Sequence, residues 1–222
     1  MNFVEFSDRS AASIDAAFFV AGALGKRLAS ASKATLIVSG GNTPIECLKH
    51  LSLSPVESLD WNRVSVMPTD ERCVAADHEA SNEGMIRRCL LQRWAKSATF
   101  VSLLQGGREP INQQSVIEQS KQLACALVGL GEDGHFASIF PDNEDLPALL
   151  ATDAEPQLAS VTTSASEYNR VTANLSLLLS GDSVLLLAFG EKKKEVLLNP
   201  DGLPVASLLQ QDKTPVRVVW AP

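Results

Sequence analysis

Short apolar runs recur along this chain, and the stretches between them are long enough to hold helices. The runs fall at residues 34–38, 63–67, 99–103, 124–128, 183–189 and 216–220. Strands that are buried on both faces of a parallel sheet have this continuous apolar character. Among the intervening stretches, residues 9–30 carry apolar side chains along one helical face. The alternation predicts an α/β fold, in which a mostly parallel twisted sheet is covered by helices on both faces.

The size and the charge of the chain limit its domain count and its partners. A chain of 222 residues, 45% of them hydrophobic, suits one large domain or two small ones, and we expect a single domain over residues 1–222. With 19 basic and 26 acidic residues the formal charge is −7, which argues against nucleic acid or an anionic membrane as a partner. A small anionic ligand remains compatible, because it needs only a few local cations. We expect the protein to be a monomer.

The four cysteines lie at positions 47, 73, 89 and 125 and form no Cys-x-x-Cys pair, so their spacing predicts neither a zinc site nor a disulfide framework. Cys73 stands beside a charged cluster, where we interpret it as a small packing residue rather than a nucleophile. The first ten residues lack the basic-then-apolar pattern of a secretory signal, and no apolar run approaches membrane-spanning length. Together with reduced thiols, these features predict a cytoplasmic protein.

A glycine-rich loop follows the predicted strand at 124–128. Residues 129–141 read Gly-Leu-Gly-Glu-Asp-Gly-His-Phe-Ala-Ser-Ile-Phe-Pro, and the glycines let the backbone turn sharply and approach a ligand. His135 is one of three histidines in the chain and the only one in such a loop. Because imidazole titrates near neutral pH, His135 is a candidate general base, and Asp133 or another nearby carboxylate could orient its ring. A structural turn with a solvated Asp133 is the alternative interpretation.

A second glycine-rich turn follows the predicted strand at 34–38. Residues 39–44 read Ser-Gly-Gly-Asn-Thr-Pro, and Thr43 and Pro44 suit a helix N-cap and a first helical position. A glycine-rich turn that opens a helix presents free backbone N–H groups, so Gly40, Gly41 and Asn42 are candidates to bind a phosphate or an oxyanion. The segment is neither a P-loop nor a Gly-x-Gly-x-x-Gly motif, and an ordinary turn is the alternative.

Charged clusters follow two further predicted strands. Asp70, Glu71 and Arg72 come soon after residues 63–67, and a run of three lysines at 192–194 follows residues 183–189 and precedes a predicted helix over residues 195–198. Lysines at the start of a helix oppose its macrodipole unless an anion binds there, and a solvated surface is the alternative for both clusters. Because the ends of parallel strands share one edge of a sheet, the four polar segments could line one cleft, with Arg170 added from a nearby segment.

With these segments in this order, the chain resembles the 6-phosphogluconolactonase family. The matching segments are residues 39–44, 70–74, 129–141, 170–172 and 190–193. The segment around His135 is the most specific of them. The resemblance implies a Rossmann-like fold, shared with glucosamine-6-phosphate deaminases and ribose-5-phosphate isomerases. It also implies hydrolysis of 6-phospho-D-glucono-1,5-lactone to 6-phosphogluconate, a step of the oxidative pentose phosphate pathway, with no metal or organic cofactor.

For this reaction His135 is the natural general base, and Asp133 a candidate to orient it. Arg72, Arg170 and Lys193 are candidates to bind the phosphate, because guanidinium groups bind phosphate oxygens in pairs. Asp70 and Glu71 could hold Arg72 in place or contact sugar hydroxyls, and we expect Asp70 to be the more site-facing of the two. The chain departs from the family pattern at three positions, which leaves details of specificity open. These are Asn42 where serine is frequent, Phe136 where threonine is common and Ala173 where leucine is frequent.

Two other functions remain open from the sequence. One is an isomerase or deaminase of an amino-sugar phosphate on the same fold. Deaminases of this fold carry an acidic residue five positions after the motif histidine, where this chain has Phe140, and an aromatic residue where it has Arg72. The other is a non-catalytic sugar-phosphate sensor, which usually brings a nucleic-acid-binding segment; no helix-turn-helix or basic extension is visible here. The sequence therefore favours the lactonase.

Overall fold

A computed structural model describes residues 2–54, 59–106, 109–164 and 166–222 of the chain. Its strands are β1 (Asn2–Glu5), β2 (Ala34–Val38), β3 (Val64–Pro68), β4 (Asp70–Arg72), β5 (Thr99–Phe100), β6 (Leu104–Gln105), β7 (Glu109–Pro110), β8 (Leu123–Val128), β9 (Leu158–Val161), β10 (Arg170–Ala173), β11 (Val184–Phe189) and β12 (Val216–Ala221). Seven of these strands form a central sheet in the order β1-β12-β11-β8-β2-β3-β5. Every neighbouring pair in this sheet is parallel.

Helices fill most of the chain between the strands of the central sheet. They are α1 (Arg9–Ser30), α2 (Ile45–Ser52), α3 (Asn82–Cys89), α4 (Gln113–Lys121), α5 (Leu146–Leu150), α6 (Leu175–Leu178), α7 (Glu191–Leu198) and α8 (Pro204–Gln210), with short 3-10 helices at Trp61–Arg63 and Arg93–Ser97. The longest, α1, begins where predicted because Asp8 caps it: the Asp8 Oδ1 atom accepts a hydrogen bond from the Ala11 backbone N–H at 2.8 Å. In the part of the chain that the structure describes, no helix combines the length and the apolar character needed to cross a membrane.

Two hydrophobic cores lie on opposite faces of the central sheet. In β11, Leu186 belongs to one core, whereas its neighbours Leu185 and Leu187 belong to the other, as the two-residue period of a strand requires. Helices α1, α2 and α3 contribute to one core, and α4 to α8 contribute to the other. The predicted α/β fold, with helices on both faces of a mostly parallel sheet, is confirmed.

The central strands β2 and β8 mark the point where the strand order reverses. From β2 the chain continues outward to β3 and β5, whereas from β8 it continues to β11 and β12 on the other side. The helix after β2 packs in one core and the helices after β8 pack in the other, so the two loops that leave these strands diverge. In open α/β sheets a crevice forms at such a point, outside the carboxyl ends of the strands.

A small antiparallel sheet, in the order β4-β10-β9, lies outside the central sheet. The sequence analysis assigned no strand to the charged cluster after β3, for which a solvated surface was the alternative, but Asp70–Arg72 form strand β4, which pairs with β10 a hundred residues later in the chain. The apolar side chains Val161, Val171 and Ala173 join the core that faces α4 to α8. Strand pairing at this separation depends on tertiary structure rather than on local periodicity.

Two predicted helix starts were wrong. Helix α2 begins at Ile45, after Pro44, and no side chain caps it; Thr43 lies in the preceding turn, so it does not act as the predicted N-cap. Helix α7 begins at Glu191 rather than Glu195, so the three lysines are inside its first turn. Gly190, with φ of 96°, forms the N-cap there, and its carbonyl accepts a hydrogen bond from Trp220 Nε1 at 2.9 Å.

Candidate active site

A cavity of about 430 Å³ opens at the carboxyl edge of the central sheet, beside strands β2 and β8. Its lining consists of Ser39, Gly40, Gly41, Asn42, Thr43, Asp70, Arg72, Asn82, Gly129, Leu130, Gly131, Glu132, His135, Phe136, Ala137, Arg170 and Lys193. All of the predicted site residues except Asp133 are in this lining, and Asp133 contacts His135 directly. The structure thus brings the four polar segments of the sequence to one place.

His135 and Asp133 form a close pair in the loop that follows β8. The His135 Nδ1 atom lies 2.5 Å from Asp133 Oδ1, and the same carboxylate oxygen accepts the His135 backbone N–H at 3.2 Å. A carboxylate can only accept, so in this pair Nδ1 carries the proton and Nε2 of a neutral ring is the free base. The side chain of His135 is 30% exposed, so a ligand in the cavity can reach it.

The His135–Asp133 pair requires glycine at position 131, because a side chain there would occupy the space that the pair fills. A Cβ atom built on Gly131 would lie 2.2 Å from His135 Nδ1 and 2.5 Å from Asp133 Oδ1. Its backbone N–H also donates to the His135 carbonyl at 2.8 Å, which closes the loop below the ring. Any larger residue at position 131 would displace the imidazole, the carboxylate or both.

The backbone turns tightly again just after His135. Ala137 has φ of 51°, a left-handed conformation that is costly for a residue with a Cβ atom. This turn directs Ser138 into the interior, where it is fully buried, and it brings the Phe140 ring to 4.4 Å from the His135 ring centroid. Phe140 is also buried, so one side of the imidazole faces an apolar surface.

Asp70 is buried and fully occupied by protein partners. Its Oδ1 atom accepts from Thr69 Oγ1 at 2.8 Å, and its Oδ2 atom accepts from Ser138 Oγ at 2.6 Å. Arg170 Nη1 lies 3.4 Å from the same Oδ2 atom. Burial lowers the pKa of the Arg170 guanidinium, the positive charge of Arg72 lowers it further, and Asp70 opposes both effects. Asp70 therefore holds Arg170, not Arg72 as the sequence suggested.

Arg72 faces Arg170 across the β4–β10 pair, where their Cα atoms are register partners. The Arg72 Nη1 atom donates to the Ala80 carbonyl and to Asn82 Oδ1, both at 2.8 Å. Two like charges on directly opposed residues of a strand pair repel each other. A dianion bound between them would relieve that repulsion.

Glu71 points away from the cavity and fixes strand β4 to helix α3. Its carboxylate accepts four hydrogen bonds, from the backbone of Arg72, Asn82 and Glu83 and from the Ser81 hydroxyl. Burial raises the pKa of Glu71, against the lowering effect of these four bonds. The role of Glu71 is thus structural, which agrees with the expectation that Asp70 is nearer the site.

The three lysines of α7 have separate environments. Lys192 lies 3.1 Å from Glu132, and Lys194 lies 3.0 Å from Glu5 and stacks over the Trp220 ring. Lys193 lines the cavity and has no carboxylate within ion-pair distance in the described part of the chain. Burial lowers the pKa of Lys193; nearby Glu132 partly opposes this. The solvated-surface alternative therefore describes Lys192, whereas Lys193 is available to a ligand.

Among the polar lining residues to which the sequence assigned no role, Ser39 lies within the predicted segment 39–44, whereas Asn82 lies outside all of the predicted segments. Ser39 is buried, and its hydroxyl has no hydrogen-bond partner among the described residues. Asn82 is buried beside Arg72. Asn82 follows Ser81, whose hydroxyl caps α3, so the sequence signal there is that of a helix start rather than of a site.

The cysteines are outside the cavity lining. Burial raises the pKa of Cys47 and Cys125 to about 12, so neither thiol is a nucleophile near neutral pH. Burial also raises the pKa of Cys73, which packs against the core as predicted. Among the described residues, no three His, Cys, Asp or Glu side chains are placed to hold a metal ion. The groups available for chemistry are His135, the cations and the backbone N–H groups of the turn at 40–42.

Comparisons with known proteins agree on one family. The sequence model described as glucosamine-6-phosphate isomerases/6-phosphogluconolactonase matches residues 7–220 of this chain. A 6-phosphogluconolactonase of Caulobacter vibrioides is 34% identical over 215 residues, which cover 93% of this chain and 91% of the relative. One of Mesorhizobium japonicum is 32% identical over 233 residues, covering 100% of this chain and 95% of the relative.

A solved structure agrees with these sequence comparisons. The crystal structure of a 6-phosphogluconolactonase from Shewanella baltica superposes with a TM-score of 0.86 at 30% identity. The match covers 100% of this chain and 98% of that one. The fold described above therefore has a solved counterpart over the full length of this chain.

Proposed function

The chain belongs to the family of glucosamine-6-phosphate isomerases and 6-phosphogluconolactonases, and we propose that it hydrolyses 6-phospho-D-glucono-1,5-lactone to 6-phospho-D-gluconate. Relatives at 30% identity or more that match nearly the whole chain carry the lactonase name. The mechanism rests on one observation: His135 Nδ1 lies 2.5 Å from Asp133 Oδ1 at the wall of a cavity. The cationic side chains of Arg72, Arg170 and Lys193 line the same cavity. The protein is thus a carboxylic ester hydrolase of the pentose phosphate pathway.

His135 is the general base in this proposal. A water molecule attacks the lactone carbonyl carbon, C1, and the Nε2 atom of His135 takes a proton from that water. Asp133 holds the Nδ1 proton, and so it keeps the ring in the tautomer that leaves Nε2 free; it also stabilises the imidazolium that forms. The imidazolium then returns the proton to the ring oxygen as the bond between C1 and that oxygen breaks. The products are the ring-opened hydroxyl and a carboxylic acid, which loses its own proton to solvent.

Hydrogen-bond donors must stabilise the negative charge that develops on the carbonyl oxygen of the lactone. The turn at Gly40, Gly41 and Asn42 lines the same cavity as His135, and Gly41, with φ of 80°, bends the backbone there. We assign the oxyanion to the backbone N–H groups of this turn, since preorganised donors at the point where charge develops give large rate effects. The adjacent Ser39 hydroxyl has no protein partner among the described residues.

The phosphate is held by cations in this proposal. Arg72 and Arg170 are register partners across two strands, and Lys193 adds a third charge from α7. These three side chains concentrate positive charge at the cavity of a chain whose formal charge is −7. The proposal assigns the phosphate to Arg72 and Arg170, with Lys193 completing the neutralisation.

A deaminase of an amino-sugar phosphate is disfavoured by Phe140. A deaminase moves a proton between carbons and so needs acid–base groups beyond one histidine. In this chain the buried Phe140 ring packs against His135 at 4.4 Å and lies under Arg170 at 5.5 Å. Phenylalanine cannot transfer a proton, so the position that is acidic in deaminases of this fold carries no acid–base group in this chain.

Two assays on the purified protein test the proposal. Hydrolysis of the phosphorylated lactone, followed by proton release and corrected for spontaneous hydrolysis, should be accelerated. Incubation with glucosamine 6-phosphate should release no ammonia above a blank without enzyme. Ammonia release with the lactone untouched would overturn the assignment.

We also propose that the protein acts as a monomer in the cytoplasm. The groups that this proposal uses, which are His135, Asp133, Arg72, Arg170 and Lys193, all belong to the same chain, so the proposed chemistry requires no residue from a second copy. The four cysteines are free thiols in the structure, which suits a reducing compartment. Light scattering during gel filtration should give a mass near 23.8 kDa, and a dimer mass would contradict the first part of this proposal.

A further inference from the structure

Asn82 occupies a junction between three segments of the site. It is the first residue of α3, is 2% exposed and lines the cavity. Its backbone N–H donates to Glu71 Oε1 at 2.8 Å, a contact that belongs to the start of the helix. Its side chain extends away from the helix toward strand β4 and the turn at residues 39–43, and it makes separate contacts there.

Both polar atoms of the Asn82 amide are engaged on β4. The Nδ2 atom donates to the Asp70 carbonyl at 2.7 Å, and the Oδ1 atom accepts from Arg72 Nη1 at 2.8 Å. The donor–acceptor pattern fixes the orientation of the amide, because the reverse orientation would place NH₂ against the guanidinium. The amide therefore acts as a bracket between the backbone and a side chain of the same strand.

The same amide lies against Gly40. A Cβ atom built on Gly40 would be 1.9 Å from Asn82 Oδ1 and 2.2 Å from its Cγ atom. Gly40 has no positive φ, so the requirement for glycine at this position comes from the amide and not from backbone conformation. The Asn82 amide thus fills the space that a side chain at position 40 would occupy.

Arg72 has donors that the protein leaves unused. Its Nη1 atom is occupied by the Ala80 carbonyl and by Asn82 Oδ1. Among the described residues, Nε is buried without a partner and Nη2 makes no hydrogen bond to protein. Nη2 is therefore the donor of this guanidinium that is left to bind a phosphate oxygen.

We propose that Asn82 is a positioning residue: it holds Nη1 of Arg72 so that Nη2, which is neither buried nor bonded to the described residues, is left for the substrate phosphate. This inference rests on the proposed function, since it assumes that Arg72 binds phosphate. Asn82 itself does not touch the phosphate. A purely structural role, in which Asn82 only joins α3 to β4, is the competing explanation that the experiment must separate.

The test compares Asn82→Ala, Arg72→Ala and the double variant on phosphorylated and unphosphorylated gluconolactone. Loss of a hydrogen bond to a charged group predicts a KM for the phosphorylated lactone that rises about 10-fold or more in Asn82→Ala. The kcat value and the kinetics on the unphosphorylated lactone should change little. In the Arg72→Ala background the Asn82→Ala change should add almost nothing, because the residue to be positioned is gone. Equal losses on both substrates, or additive effects in the double variant, would overturn the proposal.

Ser81→Ala is the matched control. The Ser81 hydroxyl accepts from the Gly84 N–H at 3.0 Å and donates to Glu71 at 3.1 Å, so this change weakens the same helix terminus without touching Arg72. It should lower Tm and leave KM for the phosphorylated lactone unchanged. A KM rise in Ser81→Ala that equals the rise in Asn82→Ala would show that only the helix start matters.

Inorganic phosphate gives a measurement that does not depend on hydrolysis. It should raise the Tm of the wild-type protein, and Asn82→Ala and Arg72→Ala should each lose that increase. If Asn82→Ala does not fold, Gly40→Ala serves instead, because its methyl group would push the amide off Arg72 while α3 keeps its cap. Phosphate protection that persists in both Asn82→Ala and Gly40→Ala overturns the inference. A wild-type protein that binds phosphate but does not hydrolyse the lactone overturns the proposed function alone.

Discussion

His135 and Asp133 make the most direct prediction about single residues. We expect His135→Ala to lower kcat for the phosphorylated lactone by about 10²- to 10⁴-fold, the usual contribution of a general base. The matched control is His50→Ala, because His50 lies outside the cavity lining, on α2. Steady-state kinetics on folded variants check this, and wild-type kcat in His135→Ala would remove His135 from the mechanism.

Replacement of Arg72 and replacement of Arg170 should have different effects on the stability of the protein. Arg72 has unused donors, whereas Arg170 pairs with the buried Asp70. We expect both alanine variants to lose activity on the phosphorylated lactone far more than on gluconolactone. Arg170→Ala should also lower the free energy of unfolding by about 1–3 kcal/mol, since it leaves a buried carboxylate short of a partner.

Urea unfolding of the two arginine variants, run beside the kinetics, separates these effects. Arg72→Ala should unfold near the wild-type midpoint, because relief of its repulsion with Arg170 offsets its lost hydrogen bonds. Equal kinetic losses on the two substrates would show that the arginines do not recognise the phosphate.

Helix α7 carries Lys193, which is a proposed phosphate-binding residue and also lowers the stability of the folded chain. Burial lowers the pKa of Lys193 below that of an unfolded lysine, so the charged form is disfavoured in the folded chain. The resulting loss of folding stability is present in full at pH values below the pKa of Lys193 in the folded chain. It disappears as the pH rises above the unfolded value, where neither state is charged.

We therefore expect Lys193→Met to raise Tm at neutral pH while it raises KM for the phosphorylated lactone. The difference in Tm from the wild-type protein should shrink as the pH approaches the ordinary titration range of lysine. Lys192→Met is the control, because Lys192 is exposed beside Glu132 and such pairs contribute little. A Lys193→Met variant that is less stable than wild type at pH 7 would contradict the assignment of burial as the cause.

The sequence predicted the elements that local patterns determine. Helix α1 and strand β2 have the predicted bounds, and β8, β11 and β12 differ from prediction by one residue at an end. Buried parallel strands carry their apolar character on both faces, so a run of a few residues identifies them. The gathering of polar segments at one edge follows from parallel strands alone, which is why all but one of the predicted residues line the cavity.

The features that the sequence did not predict depend on distant contacts. Strand β4 exists because β10 pairs with it, and the choice of Asp70 as the partner of Arg170 follows from that pairing. The site role of Asn82 depends on Gly40 and Arg72 meeting it in space. The prediction that Thr43 caps α2 was wrong for another reason: the turn before α2 extends one residue further, so Pro44 rather than Thr43 occupies the N-cap position.

The molecule as a whole should unfold in one step. The two cores share the strands of one sheet, so neither can dissolve without exposing the other face. Trp61 is buried in one core and Trp220 in the other, while Trp94 is half-exposed. Replacing Trp94 and one buried tryptophan by phenylalanine therefore gives a protein with a single reporter in a chosen core.

In each such variant, the fluorescence midpoint in urea should coincide with the midpoint from far-ultraviolet circular dichroism. Coincidence in both variants would support a single domain over residues 1–222. Separate midpoints for fluorescence and circular dichroism in either variant would indicate two units that unfold independently.

The strand order also affects how the chain is made. Strand β1 is synthesised before the other strands of the central sheet, yet among the described residues its only neighbour in that sheet is β12, with Asn2 beside Arg217. Until β12 emerges, β11 is an edge strand that reads Val-Leu-Leu-Leu-Ala-Phe with its N–H and C=O groups unpaired on one side. Exposed apolar edges of this kind recruit other chains. Nascent chains halted before residue 216 should therefore aggregate or bind chaperones, whereas chains released after β12 should not.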